Sequence, residues 1–378
     1  MVVLHSLPRP QCFKMFFPVL LAIHSALAPV NIDFYVGTYT SPTGSQGIYR
    51  VTLNTESGQL SEPSLAATAV NPSYVAISPQ GHYLYAVNES GHGEVGAYKI
   101  GREHQLVPIG NQSAGGSAPC HVSVTSDGKT VFAANYSSGN VIAFPVLGDG
   151  SLGSGSETFL NTGSGPNRDR QEGPHMHSIQ VDPKGRYVLA ADLGTDELLG
   201  FPIGPSGQIH LADPVRTKTK PGAGPRHFDF SENGKFVYVA NELNDTVGVY
   251  SAEAVAGKLA PIQEVPLLPD GVSLEGTTAA EIFLHPNGKW LYVSTRGYDS
   301  LVCFSIQKGG RLKLVQSYKL PVHFPRGFAI DPTGKWIVVG GQMSNDLLAL
   351  KIDPKSGGIG EAGSRVALSS PVGIAFVR

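Results

Sequence analysis

Residues 72–89, PSYVAISPQGHYLYAVNE, contain the unit from which the architecture follows. The unit is an apolar strand, a tetrapeptide ending in glycine, and a second apolar strand. It recurs as PCHVSVTSDGKTVFAANY (119–136), MHSIQVDPKGRYVLAADL (176–193), PRHFDFSENGKFVYVANE (225–242), AAEIFLHPNGKWLYVSTR (279–296) and PRGFAIDPTGKWIVVGGQ (325–342). The turn glycines, Gly81, Gly128, Gly185, Gly234, Gly288 and Gly334, are spaced by 47, 57, 49, 54 and 46 residues. Such periods are typical of four-stranded propeller blades.

Six complete units leave a partial unit at each end of the chain. Third strands follow the units, as at 94–100 and 246–251, and fourth strands such as 311–319 come after them. Residues 34–40 and 47–53 match second and third strands without a first, and residues 371–377 match a first strand alone. Joined, they form a seventh blade, which removes the exposed edges of a linear array. The sequence therefore predicts an all-β, seven-bladed β-propeller closed by its N- and C-terminal strands.

The N-terminus has the pattern of an export signal. Arg9 and Lys14 precede an apolar run at 16–23, and Ala26-Leu27-Ala28 supplies a small-x-small cleavage pattern. We expect residues 1–28 to be a signal peptide and residues 29–378 to form one propeller domain. The apolar run is too short for a permanent membrane anchor. The protein is then exported, periplasmic or secreted; if the segment is instead a partly buried first strand, the protein is cytoplasmic.

Composition excludes several classes of partner and site. Only 15% of the residues are charged and the net charge is −2, without a basic stripe, so nucleic acid is not an expected partner. Cys120 and Cys303 lie in separate blades and are expected to be packed thiols. No metal or other cofactor is predicted, because no CxxC pair occurs and His175 and His177 would point to opposite faces of a strand. The oligomeric state is left open.

Counting from each turn glycine identifies the residues that interrupt the repeat. Eight positions before it stand Ser73, Cys120, His177, Arg226, Ala280 and Arg326, and one position later Tyr74, His121, Ser178, His227, Glu281 and Gly327. Eight positions after it stand Glu89, Tyr136, Leu193, Glu242, Arg296 and Gln342. First-strand starts and second-strand ends lie on the same face of the ring, so these side chains are expected to converge at the channel mouth. Asn88, Asn135, Asp192 and Asn241 recur in register, which favours a structural turn hydrogen bond.

Four of the exceptional residues form a candidate catalytic set: His177, Arg226, Glu242 and Arg296. A carboxylate and an imidazole supply acid–base chemistry, and two guanidinium groups bind an anion and stabilise an oxyanion. Water is the expected nucleophile, because no Gly-x-Ser-x-Gly motif is present. Five further members of these registers, His121, Tyr136, His227, Glu281 and Arg326, are expected to contact a small anionic substrate.

The segments 173–201, 222–250 and 280–304, together with FYVGTYTSPTGSQGIYRVTLN (34–54) and 325–350, resemble the lactonase family of seven-bladed propellers. That family includes bacterial propeller-type 6-phosphogluconolactonases and a fungal carboxy-muconate cyclising enzyme. The resemblance implies that His177, Arg226, Glu242 and Arg296 are active-site residues, with His175 beside them in the substrate site. It implies hydrolysis of a sugar-type lactone, with either Glu242 or His177 handling the proton.

Alternatives remain at this stage. The first is the muconate-cyclising reaction on the same site. The second is a non-catalytic cell-envelope propeller that binds a ligand or protein. A 6-phosphogluconolactone is an intracellular sugar phosphate, so either an exported protein acts on another lactone or the signal-peptide interpretation is wrong.

Overall fold

The structure, a computed structural model, describes residues 1–3, 30–204, 206–252 and 255–377. In these residues the chain forms seven four-stranded antiparallel sheets and two short 3-10 helices, Arg102–His104 and Lys308–Gly310. None of the helices within these ranges is long and apolar enough to cross a membrane. The predicted signal peptide and its cleavage site at Ala28 lie outside the described residues, apart from residues 1–3.

The six complete units are sheets of consecutive strands, blades 1 to 6. Blade 1 contains β4 (Val75–Ile77), β5 (Tyr83–Asn88), β6 (Glu94–Ile100) and β7 (Leu106–Ser113). Blade 2 contains β8 (Pro119–Val124), β9 (Thr130–Asn135), β10 (Asn140–Pro145) and β11 (Glu157–Leu160). Blade 3 contains β12 (Met176–Val181), β13 (Tyr187–Asp192), β14 (Glu197–Pro202) and β15 (Val215–Lys218).

The second half of the ring repeats this order. Blade 4 contains β16 (Pro225–Phe230), β17 (Phe236–Asn241), β18 (Thr246–Ala252) and β19 (Leu259–Pro266). Blade 5 contains β20 (Thr278–Leu284), β21 (Trp290–Arg296), β22 (Ser300–Ile306) and β23 (Leu312–Lys319). Blade 6 contains β24 (Pro325–Ile330), β25 (Trp336–Gly341), β26 (Asp346–Ile352) and β27 (Ile359–Ala367).

The closing blade joins the two chain ends, as the partial units predict. Its strand order is β28 (Pro371–Phe376), β1 (Asn31–Thr38), β2 (Gly47–Asn54) and β3 (Ser64–Thr68). Phe34 is opposite Phe376 across the β1–β28 pair, and their ring centroids are 4.9 Å apart. Backbone pairing and aromatic packing therefore both hold the ring shut. The predicted fold is confirmed.

The apolar core is divided among the blade interfaces. Seven clusters of buried side chains occur in the described chain, each between two neighbouring sheets. Between blades 2 and 3, for example, Phe132 and Ala134 pack with Met176, Ile179 and Val188. Since flat contacts between sheets supply the core, the polar strand ends remain available at the two faces of the ring.

Two local features orient the strands around the channel. All six turn glycines of the repeat have positive φ, from 63° at Gly234 to 73° at Gly128, a conformation that costs other residues about 1 kcal/mol. The turns lie at one face, so the first-strand starts and second-strand ends lie at the opposite face. The Asn and Asp residues in register brace the latter: Asp192, for instance, accepts backbone hydrogen bonds from His175, Gly194 and Thr195.

Candidate active site

A β-bulge near the start of several first strands places the key side chains. On β12, Met176 pairs with Asp192 and Ser178 with Ala191, so His177 is the extra residue. The same shift makes Arg226 the extra residue of β16 and Arg326 that of β24. An extra residue in one strand bends it and redirects a side chain, and such bulges are frequent beside active sites. The register eight positions before the turn glycine therefore corresponds to the extra residue of a β-bulge in these strands.

A cavity of about 460 Å³ opens between these strand starts and the second-strand ends. It is lined by Tyr39, Glu89, Cys120, Tyr136, Arg170, His177, Glu242, Gly276, Thr277, Thr278, Arg296, Phe324 and Arg326. Three of these side chains are guanidinium groups and two are carboxylates. The convergence expected from register counting is present in the structure.

Glu242 is the centre of an arginine cluster. Its Oε2 lies 2.9 Å from Arg226 Nε and 2.8 Å from Arg296 Nη2, and its Oε1 accepts a 2.5 Å hydrogen bond from Arg170 Nη2. Only 3% of Glu242 is exposed. Burial alone would raise the pKa of Glu242, but Arg296, Arg226 and Arg170 outweigh it and hold the pKa well below its usual range. Glu242 is thus a permanent carboxylate that fixes three cations.

The two buried arginines of this cluster are held by backbone as well. Arg226 Nη1 donates to Ala280 O at 2.6 Å, and Arg296 Nη2 donates to Ala279 O at 3.0 Å. The guanidinium of Arg296 also lies 5.3 Å from the ring centroid of Phe324. Both guanidinium groups are therefore rigid before a substrate enters, which is the arrangement that stabilises developing charge.

Arg326 differs from the other cations of the cavity. Its guanidinium lies over the ring of Tyr39, 5.6 Å from the centroid, and within the described residues it makes no hydrogen bond or ion pair. Tyr39 is itself fixed, because its hydroxyl donates to Glu89 Oε2 at 2.9 Å. Ser73 donates to the same carboxylate oxygen. Arg326 is thus positioned by stacking while its N–H groups stay available to an anion.

His177 is the imidazole that lines the cavity. Its ring centroid lies 5.5 Å from that of Tyr136 and 5.0 Å from that of His227, and its Nδ1 is 3.7 Å from Cys120 Sγ. Burial, together with Arg226 and His227, lowers the pKa of His177 well below 6.5. The ring is therefore neutral at pH 7 and can accept a proton. Burial raises the pKa of the neighbouring Cys120 thiol, which makes it a poor nucleophile.

Four of the six predicted substrate-binding residues line the cavity or a chamber next to it. Tyr136 and Arg326 line the cavity. His227 and Glu281 line a narrow adjoining chamber, together with Ser73, Tyr74, Cys120, Arg226, Arg326 and Val372.

Three other predicted site residues do not line the cavity. Arg226, expected to hold the substrate, is 2% exposed and contacts Glu242 and the backbone of Ala280. His121 is buried against Tyr74 at 4.5 Å between ring centroids and does not line the cavity. His175 lies behind Tyr136, stacked on it at 4.4 Å, and bonds to the Tyr136 carbonyl and to Glu172. In each case the side chain is in contact with neighbouring protein groups.

Arg170 and Tyr39 are site residues that the register did not identify. Arg170 lies between β11 and β12, in a loop without a position in the repeat, and its Nη2 also donates to Tyr136 OH at 3.2 Å. The 57-residue spacing between Gly128 and Gly185, the longest of the repeat, is the available signal for this loop. Tyr39 follows β1 in the incomplete closing blade, where counting from a turn glycine was not possible.

Comparison with known proteins identifies the family. The family described as "Lactonase, 7-bladed beta-propeller" matches residues 33–376. The chain is a member of this family. It is therefore an enzyme of the lactone-hydrolase class.

Relatives of this lactonase match it over nearly its whole length. A 6-phosphogluconolactonase of Bacillus subtilis is 37% identical over 351 residues, which are 91% of this chain and 97% of the relative. The solved structure of a putative 6-phosphogluconolactonase of Bacteroides fragilis has a TM-score of 0.84 at 33% identity, covering 92% of this chain and 98% of the other. That of a periplasmic gluconolactonase of Pseudomonas aeruginosa has a TM-score of 0.85 at 32% identity, covering 92% and 99%.

Proposed function

We propose that this lactonase hydrolyses a sugar-type lactone that carries an anionic group, as a 6-phosphogluconolactonase does. The observation that carries the proposal is Arg326. Arg170 and Arg296 already form salt bridges with Glu242. Arg326 faces the same cavity and forms no salt bridge within 4 Å among the described residues, although Glu89 and Glu242 act on it from farther away. A phosphate or carboxylate on the substrate would supply that partner by bidentate hydrogen bonding.

The reaction needs a proton acceptor, and His177 suits that role better than Glu242. Water attacks the lactone carbonyl carbon while its proton passes to the neutral imidazole of His177. The ring C–O bond then breaks, the ring oxygen leaves with a proton returned by His177, and the product is a hydroxy acid. Both carboxylate oxygens of Glu242 already contact arginine side chains, whereas His177 forms no ion pair among the described residues. Arg170 and Arg296 line the cavity and would stabilise the developing oxyanion.

A panel of lactones tests the proposal by proton release, using 6-phosphogluconolactone, neutral glucono-1,5-lactone and a carboxy-muconolactone. We expect hydrolysis of the anionic sugar lactone with a lower KM than that of the neutral one. In Arg326→Gln the KM of the anionic lactone should rise about 10- to 100-fold, since a charge-assisted hydrogen bond contributes about 1.5–3 kcal/mol, and the KM of the neutral lactone should change far less. Equal increases for both lactones would contradict an anion site at Arg326. Activity on the muconolactone alone would favour the cyclising reaction.

We also propose export of the protein. The charged, apolar and small-x-small succession of residues 1–28 supports it, and one structural neighbour is named a periplasmic gluconolactonase. Fractionation of cells expressing the full chain, followed by N-terminal sequencing, tests this. A mature protein that begins after Ala28 outside the cytoplasm agrees with export, whereas an intact N-terminus on cytoplasmic protein contradicts it.

A further inference from the structure

A buried acid and a buried imidazole lie next to the cavity and have no part in the reaction described above. Glu281 on β20 and His227 on β16 are each 4% exposed, and Glu281 Oε1 lies 2.7 Å from His227 Nδ1. Both line the narrow chamber, whose wall also contains Arg226 and Arg326. Arg326 lines the cavity above as well. The pair therefore lies next to Arg326, the cavity arginine that forms no salt bridge among the described residues.

The contacts of His227 place a single proton between the two groups. Arg226 Nη1, which can only donate, lies 3.3 Å from the same Nδ1, and this favours Nδ1 as an acceptor. A protonated Glu281 can then donate to Nδ1, and Ile282 N–H donates to the same carboxyl oxygen at 3.1 Å. His227 Nε2 is buried without a hydrogen-bond partner among the described residues. Burial and the adjacent Arg226 lower the pKa of His227, so the imidazole is neutral and Glu281 is the group that gains or loses the proton.

The charges around the pair set when that proton is held. Burial raises the pKa of Glu281 to about 7, against the opposing effect of Arg226. Burial and the two arginines of the chamber lower the pKa of His227 well below its usual value. The titratable groups around Glu281 include Arg226, His227 and Asp229 on β16, Cys120 and His121 on β8, Tyr74 beside β4 and Arg326 on β24. The strands that pack against or pair with β20 add Tyr238 on β17 and Tyr292 and Arg296 on β21.

We propose that Glu281 is a positioning residue that sets the affinity of this site for anionic lactones through the proton it shares with His227. The inference rests on the proposed function. While the proton is held, the pair is neutral and a substrate anion is the group that compensates Arg326. When the proton leaves to solvent, the Glu281 carboxylate lies in the same chamber as Arg226 and Arg326 and competes with the substrate. By linkage, binding of an anion must in turn draw a proton onto the pair.

The kinetic test compares two lactones whose own charges are constant between pH 6 and pH 8. They are glucaro-1,4-lactone, which carries a carboxylate, and neutral glucono-1,5-lactone. The ratio of their KM values removes effects common to both substrates. In the wild type this ratio should rise on the order of ten-fold from pH 6 to pH 8, because one added negative charge acts on a nearby anion at low effective dielectric. In Glu281→Gln, whose amide can still donate to His227, the ratio should be independent of pH.

The control is Glu361→Gln on the outermost strand of blade 6, which should reproduce the wild-type dependence. A flat ratio in the wild type, or an unchanged dependence in Glu281→Gln, overturns the inference while leaving lactone hydrolysis intact. If neither lactone is hydrolysed, the proposed function fails, and calorimetry with glucarate decides the inference. Proton uptake on glucarate binding at pH 8 in the wild type but not in Glu281→Gln supports it. Absence of binding or of proton uptake overturns it.

Thermal unfolding tests the proton without any ligand. A carboxyl whose folded pKa lies above its unfolded value of 4.5 costs stability as the pH rises from 4.5 through 7. The Tm of Glu281→Gln minus that of the wild type should therefore increase by several degrees as the pH is raised from 5 to 8. Parallel curves for the two proteins would mean that Glu281 holds no such proton, and the inference would be wrong.

Discussion

Replacing Glu242 by Gln removes one charge and leaves the shape of the arginine cluster almost unchanged. Arg226 and Arg296 are buried and would lose their counter-ion, whereas Arg170 is 38% exposed and can turn to solvent. Leaving one member of a buried ion pair uncompensated costs about 3–5 kcal/mol. Unfolding entropy of about 2.1 cal/mol/K per residue gives ~0.7 kcal/mol/K for the propeller, so the Tm should fall by ~4–7 °C.

The same substitution should reduce kcat/KM by about 100-fold, because misplacing rigid groups by about 1 Å has an effect of that size. Calorimetry gives the Tm, and proton release gives the rate. The Tm difference should be constant from pH 6 to pH 8. Glu242 has a depressed pKa, so its contribution is present above its unfolded value of 4.5 and is lost as the pH falls further toward the folded pKa.

Glu197→Gln is the matched control. Glu197 is also a buried carboxylate that pairs with two cations, Arg216 at 2.7 Å and Lys218 at 3.0 Å, but it lies on β14 and does not line the cavity. It should lose less stability, because both of its partners are largely exposed, and it should keep the wild-type rate. A Glu242→Gln protein with Tm within about 1 °C and rate within about two-fold of the wild type would refute the reasoning.

Three further outcomes follow from the site. Arg170→Gln should lower kcat/KM by about ten-fold with a stability change within about 1 kcal/mol, since its ion pair is partly solvated; a Tm loss equal to that of Glu242→Gln would contradict this. His177→Asn should lower kcat by about 10²–10⁴-fold with little change in KM for glucono-1,5-lactone, as expected for loss of a general base; an unchanged kcat would exclude His177 as the proton acceptor. Because burial holds the pKa of His177 well below 6.5, kcat/KM for the same neutral lactone should be constant from pH 8 to pH 6.5 and decline only at lower pH. If initial rates measured across this range fall to half of their maximum at pH 6.5 or above, His177 is not the group that titrates.

The fold could be predicted because its determinants are local and repeated. In each of the six complete units a glycine at positive φ closes the first turn, and an apolar strand lies on either side of it. Eighteen residues are therefore enough to identify a blade in the sequence. The closing blade could be predicted as well. The C-terminal unit contains only a first strand, β28, and the N-terminal unit supplies the next strands, β1 and β2. These features depend on neighbours in the chain and therefore survive in a single sequence.

The site was only partly predictable, because its contacts cross between blades. Glu242 and Arg296 could be found as exceptions at a fixed register. That Glu242 would be surrounded by three arginines depended on Arg170, which belongs to a loop outside the repeat. The orientation of Arg226 depended on the carbonyl of Ala280 in the next blade. The register of a residue predicts the face of the ring on which it lies. It does not predict which protein groups its side chain contacts.

The pairing of β28 with β1 also orders events in time. About 340 residues separate Phe34 from Phe376, which become direct partners, so this contact has one of the longest loops to close in the chain. During synthesis β1 has no partner on one side until β28 has left the ribosome. The ring, with the cavity that needs side chains from both the closing blade and blade 6, can therefore form only after β28 has been made. A chain truncated by a few C-terminal residues should behave as an open, aggregation-prone sheet array rather than as a slightly shorter enzyme.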